Sequence, residues 1–223
     1  MNMVKKLLQK LEFYRRIRFF RYIHLNFFCK NVIRTDRSRL IPYKGAAIDI
    51  ASNAKIILGG GDVEVGCDLL KGSKAETRIR LRENAVWSSE GGCRISYGST
   101  VEILSGGMFD TQFFTMNSNS VLVAAKKISL GRDVMIGRGV VIYDSDHHTI
   151  RNVAEETINP DAPVAIGDHV WLATNSSVLK GTTIGAGSIV SAYSTAHGSI
   201  PGDCLYKAGI LREHYGSWSR EHP

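Results

Sequence analysis

The hydrophobic residues between positions 128 and 210 repeat with a period of six residues. The positions that share this spacing are aliphatic: Leu130, Ile136, Ile142, Ile166, Leu172, Val178, Ile184 and Val190. A glycine or another small residue follows most of them, and the positions four places on are mostly small as well. A period of six fits neither an α-helix nor an isolated strand, and it indicates a solenoid in which each short strand sends one aliphatic residue inward.

The pattern is looser between residues 45 and 129, where short β-rich runs such as "AIDIASNAKIILGG" and "CRISYGSTVEILSGG" are interrupted by Gly, Ser and Asn. Terminal repeats of a solenoid are commonly atypical, so these runs are interpreted as its early coils. The sequence therefore predicts an all-β protein with one β-helical domain over residues 45–205 and a C-terminal tail over 206–223.

The N-terminal residues 1–44 carry a different pattern, in which basic residues alternate with aliphatic and aromatic ones. Apolar residues at helical spacing are Val4, Leu7, Leu8 and Leu11, and the stripe can continue through Phe13, Ile17 and Phe20. This spacing predicts a short basic amphipathic helical arm. Such a helix either lies on an anionic membrane surface or packs on its own body or on a sister subunit, and the pattern alone does not distinguish these.

The net charge of +7 is unevenly distributed. Residues 1–44 hold 12 Lys and Arg against Glu12 and Asp36, a balance of +10, which leaves −3 for the rest of the chain. Because residues 45–223 are mildly acidic, this part of the chain is not expected to bind nucleic acid. The four cysteines form no CxxC pair, and no apolar run approaches a membrane span or a signal-peptide core. These features predict a cytoplasmic protein with reduced thiols, peripheral to the membrane if the arm binds lipid.

The six-residue period stops at "YDSDHHTI" and resumes only at Val164, so residues of about 143–163 are predicted to form a loop that leaves the coil. This loop begins with Asp144, Asp146, His147 and His148. A carboxylate beside an imidazole can fix its tautomer and prepare it to act as a base. A pair of solvated histidines in a turn is the alternative.

The hexads that contain "VW", followed by "GTTIGAGSIV" and "SIPGD", resemble the hexapeptide-repeat acyltransferases. Within that family the sequence is most similar to the sugar O-acetyltransferases related to galactoside and maltose acetyltransferases. The resemblance is strong over residues 128–210 and weak before them. It implies a left-handed parallel β-helix, a homotrimer, and an active site in a groove between two subunits that holds acetyl-CoA.

The resemblance also implies a catalytic histidine in the loop. Relatives with a D-S-D-x-H-x-I stretch match His148, whereas counting without a gap from "LGRDV" reaches His147, so both residues stay open and His148 is favoured. Such a histidine would accept a proton from a sugar hydroxyl. Asp146 or Asp144 would hold its ring and stabilise the imidazolium.

Residues for the cofactor groove follow from the same comparison. Trp171 and Thr174 stand where the family has residues near the thioester arm, and Ala192 matches a small residue at which the cofactor approaches the backbone. The family's Thr-Lys pair is missing here, so Lys207 or Arg212 would contact phosphate groups instead. Packing at a subunit interface is the alternative for Trp171.

The sequence thus predicts an enzyme that transfers an acetyl group from acetyl-CoA to a hydroxyl of a sugar or of a surface polysaccharide precursor. The alternatives are an N-acetyltransferase for an amino sugar, and a β-helical scaffold without catalytic activity at the membrane surface. No metal is expected, because zinc enzymes of similar architecture use two histidines five residues apart. Neither Asn152 nor Val153 can supply the second.

Overall fold

The computed structural model describes residues 11–213 and 216–221, and within them the chain forms three long sheets. The first sheet contains β1 Val32–Arg34, β4 Lys55–Leu58, β7 Val86–Ser89, β10 Met108–Thr111, β13 Lys127–Leu130, β16 Val164–Ile166, β19 Thr183–Ile184 and β22 Ser199–Ile200. The second contains β2 Leu40–Pro42, β5 Val63–Cys67, β8 Cys93–Ser96, β11 Phe114–Met116, β14 Val134–Ile136, β17 Trp171–Leu172, β20 Ile189–Val190, β23 Cys204–Lys207 and β24 Ile210–Glu213. The third contains β3 Ala46–Ile50, β6 Thr77–Leu81, β9 Thr100–Ile103, β12 Val121–Ala124, β15 Val141–Tyr143, β18 Ser177–Val178 and β21 Thr195–Ala196.

Each coil of the solenoid crosses the three sheets in the same order and then pairs with the next coil. In the first sheet Ile166 aligns with Ile184, and in the second Leu172 aligns with Val190. All pairs of named strands are parallel except β23 with β24, which pair antiparallel at the C-terminal end. The predicted all-β fold, a left-handed parallel β-helix, is confirmed, and its early coils are formed by the irregular strands β1 to β12.

The aliphatic residues of the six-residue repeat form the core of the coils. All eight predicted positions are buried, with at most 3% of each residue exposed. Burying one such side chain contributes about 1.5–3 kcal/mol, and stacking the coils joins these contributions into one continuous core. The small residues four places on, Ser176, Thr182, Ser188 and Ser194, are buried as well, because the chain turns inward at each corner.

Corners between strands require a left-handed backbone and close approach of successive coils. Asn175 has φ 56° at one corner, and Gly139 with φ 64° occupies the equivalent place in the preceding coil. A Cβ on Gly139 would lie 2.1 Å from Oδ1 of Asn175. Glycine adopts this left-handed backbone without strain, and a side chain at 139 would displace the side-chain amide of Asn175.

The described part of residues 1–44 closes the open end of the first coil. An α-helix, Phe19–Ile23, continues into a π-helical turn, His24–Phe28, whose Leu25 is buried in the core. Asn26 donates to the carbonyl of Leu40 and accepts from its amide, so the free edge of β2 is satisfied. Arg18 and Arg21 donate to the carbonyls of β3 in the same way. Covering an edge strand blocks pairing with another chain.

The predicted amphipathic stripe is only partly recovered. Val4, Leu7 and Leu8 lie outside the described residues, and Leu11 and Phe20 are exposed. Ile17 is buried and forms an isolated β-bridge with Tyr43, which interrupts the helix before Phe19. The strands β1 and β2 also fall inside the range predicted as an arm, so the coils begin before residue 45. Residues 17–28 pack on their own body through the buried Ile17, Leu25 and Asn26, and the predicted membrane contact of the arm stays a prediction.

Across the described ranges, no helix is long and apolar enough to cross a membrane.

Candidate active site

Residues 144–163 leave the coil at the edge where the chain passes from the third sheet to the first, between β15 and β16. They contain no named strand, and a single bridge between Arg151 and Thr157 closes the outer part. His147 and His148 are both exposed at the start of this loop. The predicted loop and its two histidines therefore project together from one edge of the solenoid.

Asp144 anchors the base of the loop inside the protein. Its carboxylate is fully buried and accepts hydrogen bonds from the backbone amides of Ala125, Lys126 and Lys127 at 2.6–2.8 Å. Both oxygens are thus occupied by a turn of the preceding coil. The prediction that Asp144 orients a catalytic histidine is corrected, because both oxygens of this carboxylate accept hydrogen bonds from backbone amides.

Asp146 is held by two residues that the sequence reading did not single out. Lys180 donates to Oδ2 of Asp146 at 2.6 Å, and the side-chain amide of Asn159 donates to the same oxygen at 2.9 Å. The hydrogen bond from Lys180, followed by that from Asn159, lowers the pKa of the Asp146 carboxyl. The carboxylate is therefore ionised near neutral pH and faces Lys180.

Asn159 and Lys180 also fix the backbone that carries the histidines. Asn159 donates to the carbonyl of His148 at 2.8 Å and accepts from the amide of Ile150 at 2.7 Å. Lys180 reaches the carbonyls of Asn159 and Pro160 from the next coil. The start and the end of the loop are thus tied together directly beside His148.

The two histidine rings have different surroundings. His147 has φ 60°, and its ring packs edge-on against Tyr143 with centroids 4.9 Å apart. Its amide donates to Oγ of Ser145. Among the described residues, the ring of His148 has neither a hydrogen-bond partner nor a ring contact. His148 therefore offers an uncommitted imidazole on a fixed backbone.

The residues predicted for the cofactor groove lie at another edge. Thr174 and Ala192 are exposed at the corner between the second and third sheets, in successive coils, and the amide of Tyr193 donates to the carbonyl of Thr174. Trp171 is half-buried on the outer face of the second sheet. The structure brings these three close to one another in the fold, but at a different edge from His147 and His148.

Lys207 and Arg212 are exposed on the terminal hairpin of β23 and β24. Arg212 pairs with Leu205, and Lys207 pairs with Ile210. Their predicted contact with phosphate groups stays a prediction.

A C-terminal segment, residues 216–221, folds back along the second sheet. The indole of Trp218 is stacked on the ring of His169 at a centroid distance of 4.0 Å and lies 6.1 Å from Trp171. Asp133 accepts from Arg220 at 2.6 Å and is bonded to Nδ1 of His169 at 2.7 Å. Burial opposes ionisation of Asp133, but the hydrogen bonds from His169 and Arg220 outweigh it and lower its pKa. We call this cluster the C-terminal latch.

Three of the residues that shape the site were thus missed by the sequence reading: Asn159, Lys180 and Trp218. Lys180 stands two residues after an inward aliphatic residue, and the equivalent positions of other hexads hold Arg132 and Arg138 as well as Asp, Thr or Ala, so a basic residue there is not a distinctive signal. Asn159 and Trp218 lie in segments without a repeat, so no pattern marks them. Within residues 11–213 and 216–221, no group of three or more His, Cys, Asp or Glu side chains could hold a metal ion.

The fold and the site thus define a hexapeptide-repeat β-helix with a histidine-bearing loop, and comparisons with known proteins find similar sequences and a similar fold. No protein-family model matches the sequence. The chain is 33% identical over 105 residues to a putative lipopolysaccharide biosynthesis O-acetyl transferase, WbbJ, of Escherichia coli K12, covering 43% of this chain and 54% of the relative. It is 42% identical over 69 residues to the polysialic acid O-acetyltransferase of Neisseria meningitidis, covering 30% and 32%.

Similarity to solved structures extends over more of the chain. The polysialic acid O-acetyltransferase OatWY matches with a TM-score of 0.60 and 22% identity, covering 86% of this chain and 92% of that chain. The sequence matches span about half or less of the two relatives' length, whereas the structural match shows the shared fold. The predicted resemblance to hexapeptide-repeat sugar O-acetyltransferases is confirmed.

Proposed function

We propose that this protein is an acetyl-CoA-dependent O-acetyltransferase that modifies a hydroxyl of a sugar or of a polysaccharide precursor. The observation that carries the proposal is the exposed histidine loop, residues 144–163, projecting from a solenoid whose sequence relatives are O-acetyltransferases. A rigid β-helix with one long loop is suited to hold an imidazole in place, because the coils fix both ends of the loop.

A histidine general base supplies the chemistry that this reaction needs. A neutral imidazole, with a reference pKa of about 6.5, accepts the proton of the acceptor hydroxyl as its oxygen attacks the thioester carbonyl. The tetrahedral intermediate then collapses, the C–S bond breaks, and the imidazolium returns the proton to the thiolate of CoA. The products are an acetyl ester and free CoA, and the histidine is regenerated.

His148 is the base in this proposal. Its ring is uncommitted among the described residues, and Asn159 fixes its carbonyl, whereas the ring of His147 packs against Tyr143. Asp146 acts through the loop backbone as a positioning residue, because it is held by Lys180 and Asn159. The loop backbone therefore sets the position of the imidazole, which has no hydrogen bond to a carboxylate of the described residues.

The complete site is formed by two subunits of a homotrimer. The histidine loop lies at the edge between the third and first sheets, while Thr174 and Ala192 lie at the edge between the second and third. A loop from one subunit can meet the cofactor corner of its neighbour if the subunits pack side by side. The loop also exposes three large apolar side chains suited to such a contact: Ile150, Val153 and Ile158.

The acceptor is proposed to be a growing or lipid-linked polysaccharide on the cytoplasmic side of a membrane. The concentration of +10 in residues 1–44 supports this, because basic residues are attracted to anionic lipid.

Release of CoA thiol, measured against sugars, nucleotide sugars and oligosaccharides, tests the activity. We expect acceptor-dependent release and a product heavier by one acetyl group in mass spectrometry. Mild base distinguishes the alternatives, since it cleaves an acetyl ester and leaves an amide intact. A base-stable product would identify an N-acetyltransferase. Folded protein with no release on any acceptor would favour the scaffold.

A further inference from the structure

The closed end of the β-helix carries an unusual set of exposed aromatic side chains. Phe20, Phe27 and Phe28 are 87%, 56% and 73% exposed on the helical segment that covers the first coil. Their neighbours on the opposite side of the same segment, Leu25 and Asn26, are buried. The segment therefore has one face in the core and one aromatic face that projects away from the end of the solenoid.

Two cations lie at the Phe27 ring of this aromatic face. The guanidinium groups of Arg34 and Arg39 lie 5.3 and 5.9 Å from the ring centroid of Phe27. We call these five residues, Phe20, Phe27, Phe28, Arg34 and Arg39, the cap surface. Exposed phenylalanines rimmed by arginines match the boundary between acyl chains and headgroups of an anionic bilayer, because each part finds its preferred surroundings there.

We infer that the cap surface docks end-on to an anionic membrane, with the axis of the β-helix standing away from the bilayer. The proposal deepens the membrane contact in the proposed function by naming the side chains and the orientation. A second copy of the chain is the other possible occupant, but the excess of positive charge in this segment disfavours pairing with itself.

End-on docking fixes the height of the candidate active site. The cap covers the first coil, and the histidine loop leaves between the fifth coil, which ends with β15, and the sixth, which begins with β16. Successive coils are spaced by about 4.8 Å, which places the loop roughly 20 Å above the first coil and further still from the cap surface. A headgroup sugar would then lie out of reach, and the acceptor would be a glycan that extends several residues from its lipid anchor.

Co-sedimentation of the full-length chain with phosphatidylcholine vesicles, with and without phosphatidylglycerol, tests the docking. We expect binding to the anionic vesicles only, weakened by salt. The triple variant Phe20→Ser, Phe27→Ser, Phe28→Ser is expected to bind roughly tenfold more weakly or worse. The variant Arg34→Gln, Arg39→Gln is expected to lose a similar factor.

Met108→Ser is the matched control, because Met108 is 42% exposed on a side face in the fourth coil. It should bind like the original chain. Circular dichroism and melting confirm that each variant is folded. Equal binding by the triple variant, or equal binding to neutral vesicles, would refute the proposal. A change in oligomeric state without a change in vesicle binding would refute it too and would assign the cap surface to self-association.

The height is tested separately with glycan acceptors anchored to the vesicles by short and long tethers. This second experiment depends on the proposed acetyl transfer. We expect ester formation on the long-tethered acceptor only, and equal reaction at both lengths would contradict end-on docking. If vesicle binding depends on the cap surface but no tether length supports reaction, and free acceptors are also unreactive, the proposed activity fails while the docking stands.

Discussion

At the scale of single residues, His147 and His148 make different contacts and should respond differently to substitution. We expect His148→Ala to lower kcat by about 10²–10⁴, the usual cost of losing a general base, with little change in acetyl-CoA binding. His147→Ala should retain most of the activity, because its ring packs on Tyr143. CoA release and acetyl-CoA titration provide the measurements. The reverse result would move the base to His147, and two active variants would exclude the loop as the catalytic centre.

Asp144 should affect stability more than catalysis. Asp144→Asn keeps the shape of the side chain but replaces one accepting oxygen by a donor, which then faces backbone N–H groups. We expect a loss of about 1.5–3 kcal/mol in the free energy of unfolding, measured with denaturant. Asp146→Asn, at an exposed position, is the control and should change stability little. Equal stability of Asp144→Asn and the original chain would contradict the anchoring role.

At the scale of elements, the anchored loop can be loosened without touching a histidine. Lys180→Met removes the ammonium group that holds Asp146 and the carbonyls of Asn159 and Pro160. We expect a fall in kcat of roughly tenfold or more with KM for acetyl-CoA nearly unchanged, because only the position of the imidazole is disturbed. Lys55→Met, an exposed position in an early coil, should behave like the original chain. A rise in KM for acetyl-CoA alone would place Lys180 in the cofactor groove instead.

The C-terminal latch should open in acid. The pKa of Asp133 is lowered in the folded protein, so its contribution to stability is present above its unfolded pKa, near 3.8. That contribution is lost as the pH falls through the lower folded value. We therefore expect residues 216–221 to be released only below pH 3.8, as the pH falls towards the lower folded pKa of Asp133, detected by tryptophan fluorescence and by an acid-active protease.

Trp218→Ala provides the comparison for the acid release, because it removes the stack on His169 and should leave the segment cleavable at neutral pH as well. A segment that stays protected in both the original chain at acid pH and the Trp218→Ala variant would show that the latch does not depend on these contacts.

The fold of the six-residue repeats over residues 128–210 could be predicted from the sequence, because burial of every sixth residue leaves a regular pattern there. The early coils vary in length, so their existence could be inferred but not their bounds. Asp144 illustrates the limit at a site, since its three amide partners lie 17–19 residues earlier in the chain. The latch likewise joins Arg220 to Asp133, 87 residues apart, without any repeat to indicate it. Contacts of this kind depend on the complete fold.

At the scale of the whole molecule, the position of the two halves of the site predicts how subunits cooperate. If the histidine loop of one subunit meets the Thr174 and Ala192 corner of its neighbour, a variant defective in one half can complement a variant defective in the other. His148→Ala disables the loop. Ala192→Trp fills the exposed corner where the cofactor is proposed to approach the backbone. Each variant alone should be inactive as a trimer, and light scattering should show three chains of 24.6 kDa for both.

Co-expression of the two variants with different affinity tags then gives mixed trimers. In a cyclic trimer with two chains of one kind and one of the other, one of the three interfaces joins an intact loop to an intact corner. Random mixing at equal amounts should therefore restore about a quarter of the original activity. No recovery in verified mixed trimers would mean that the loop and the corner do not combine across the subunit interface. A monomeric protein with full activity would show that the active site does not need two subunits.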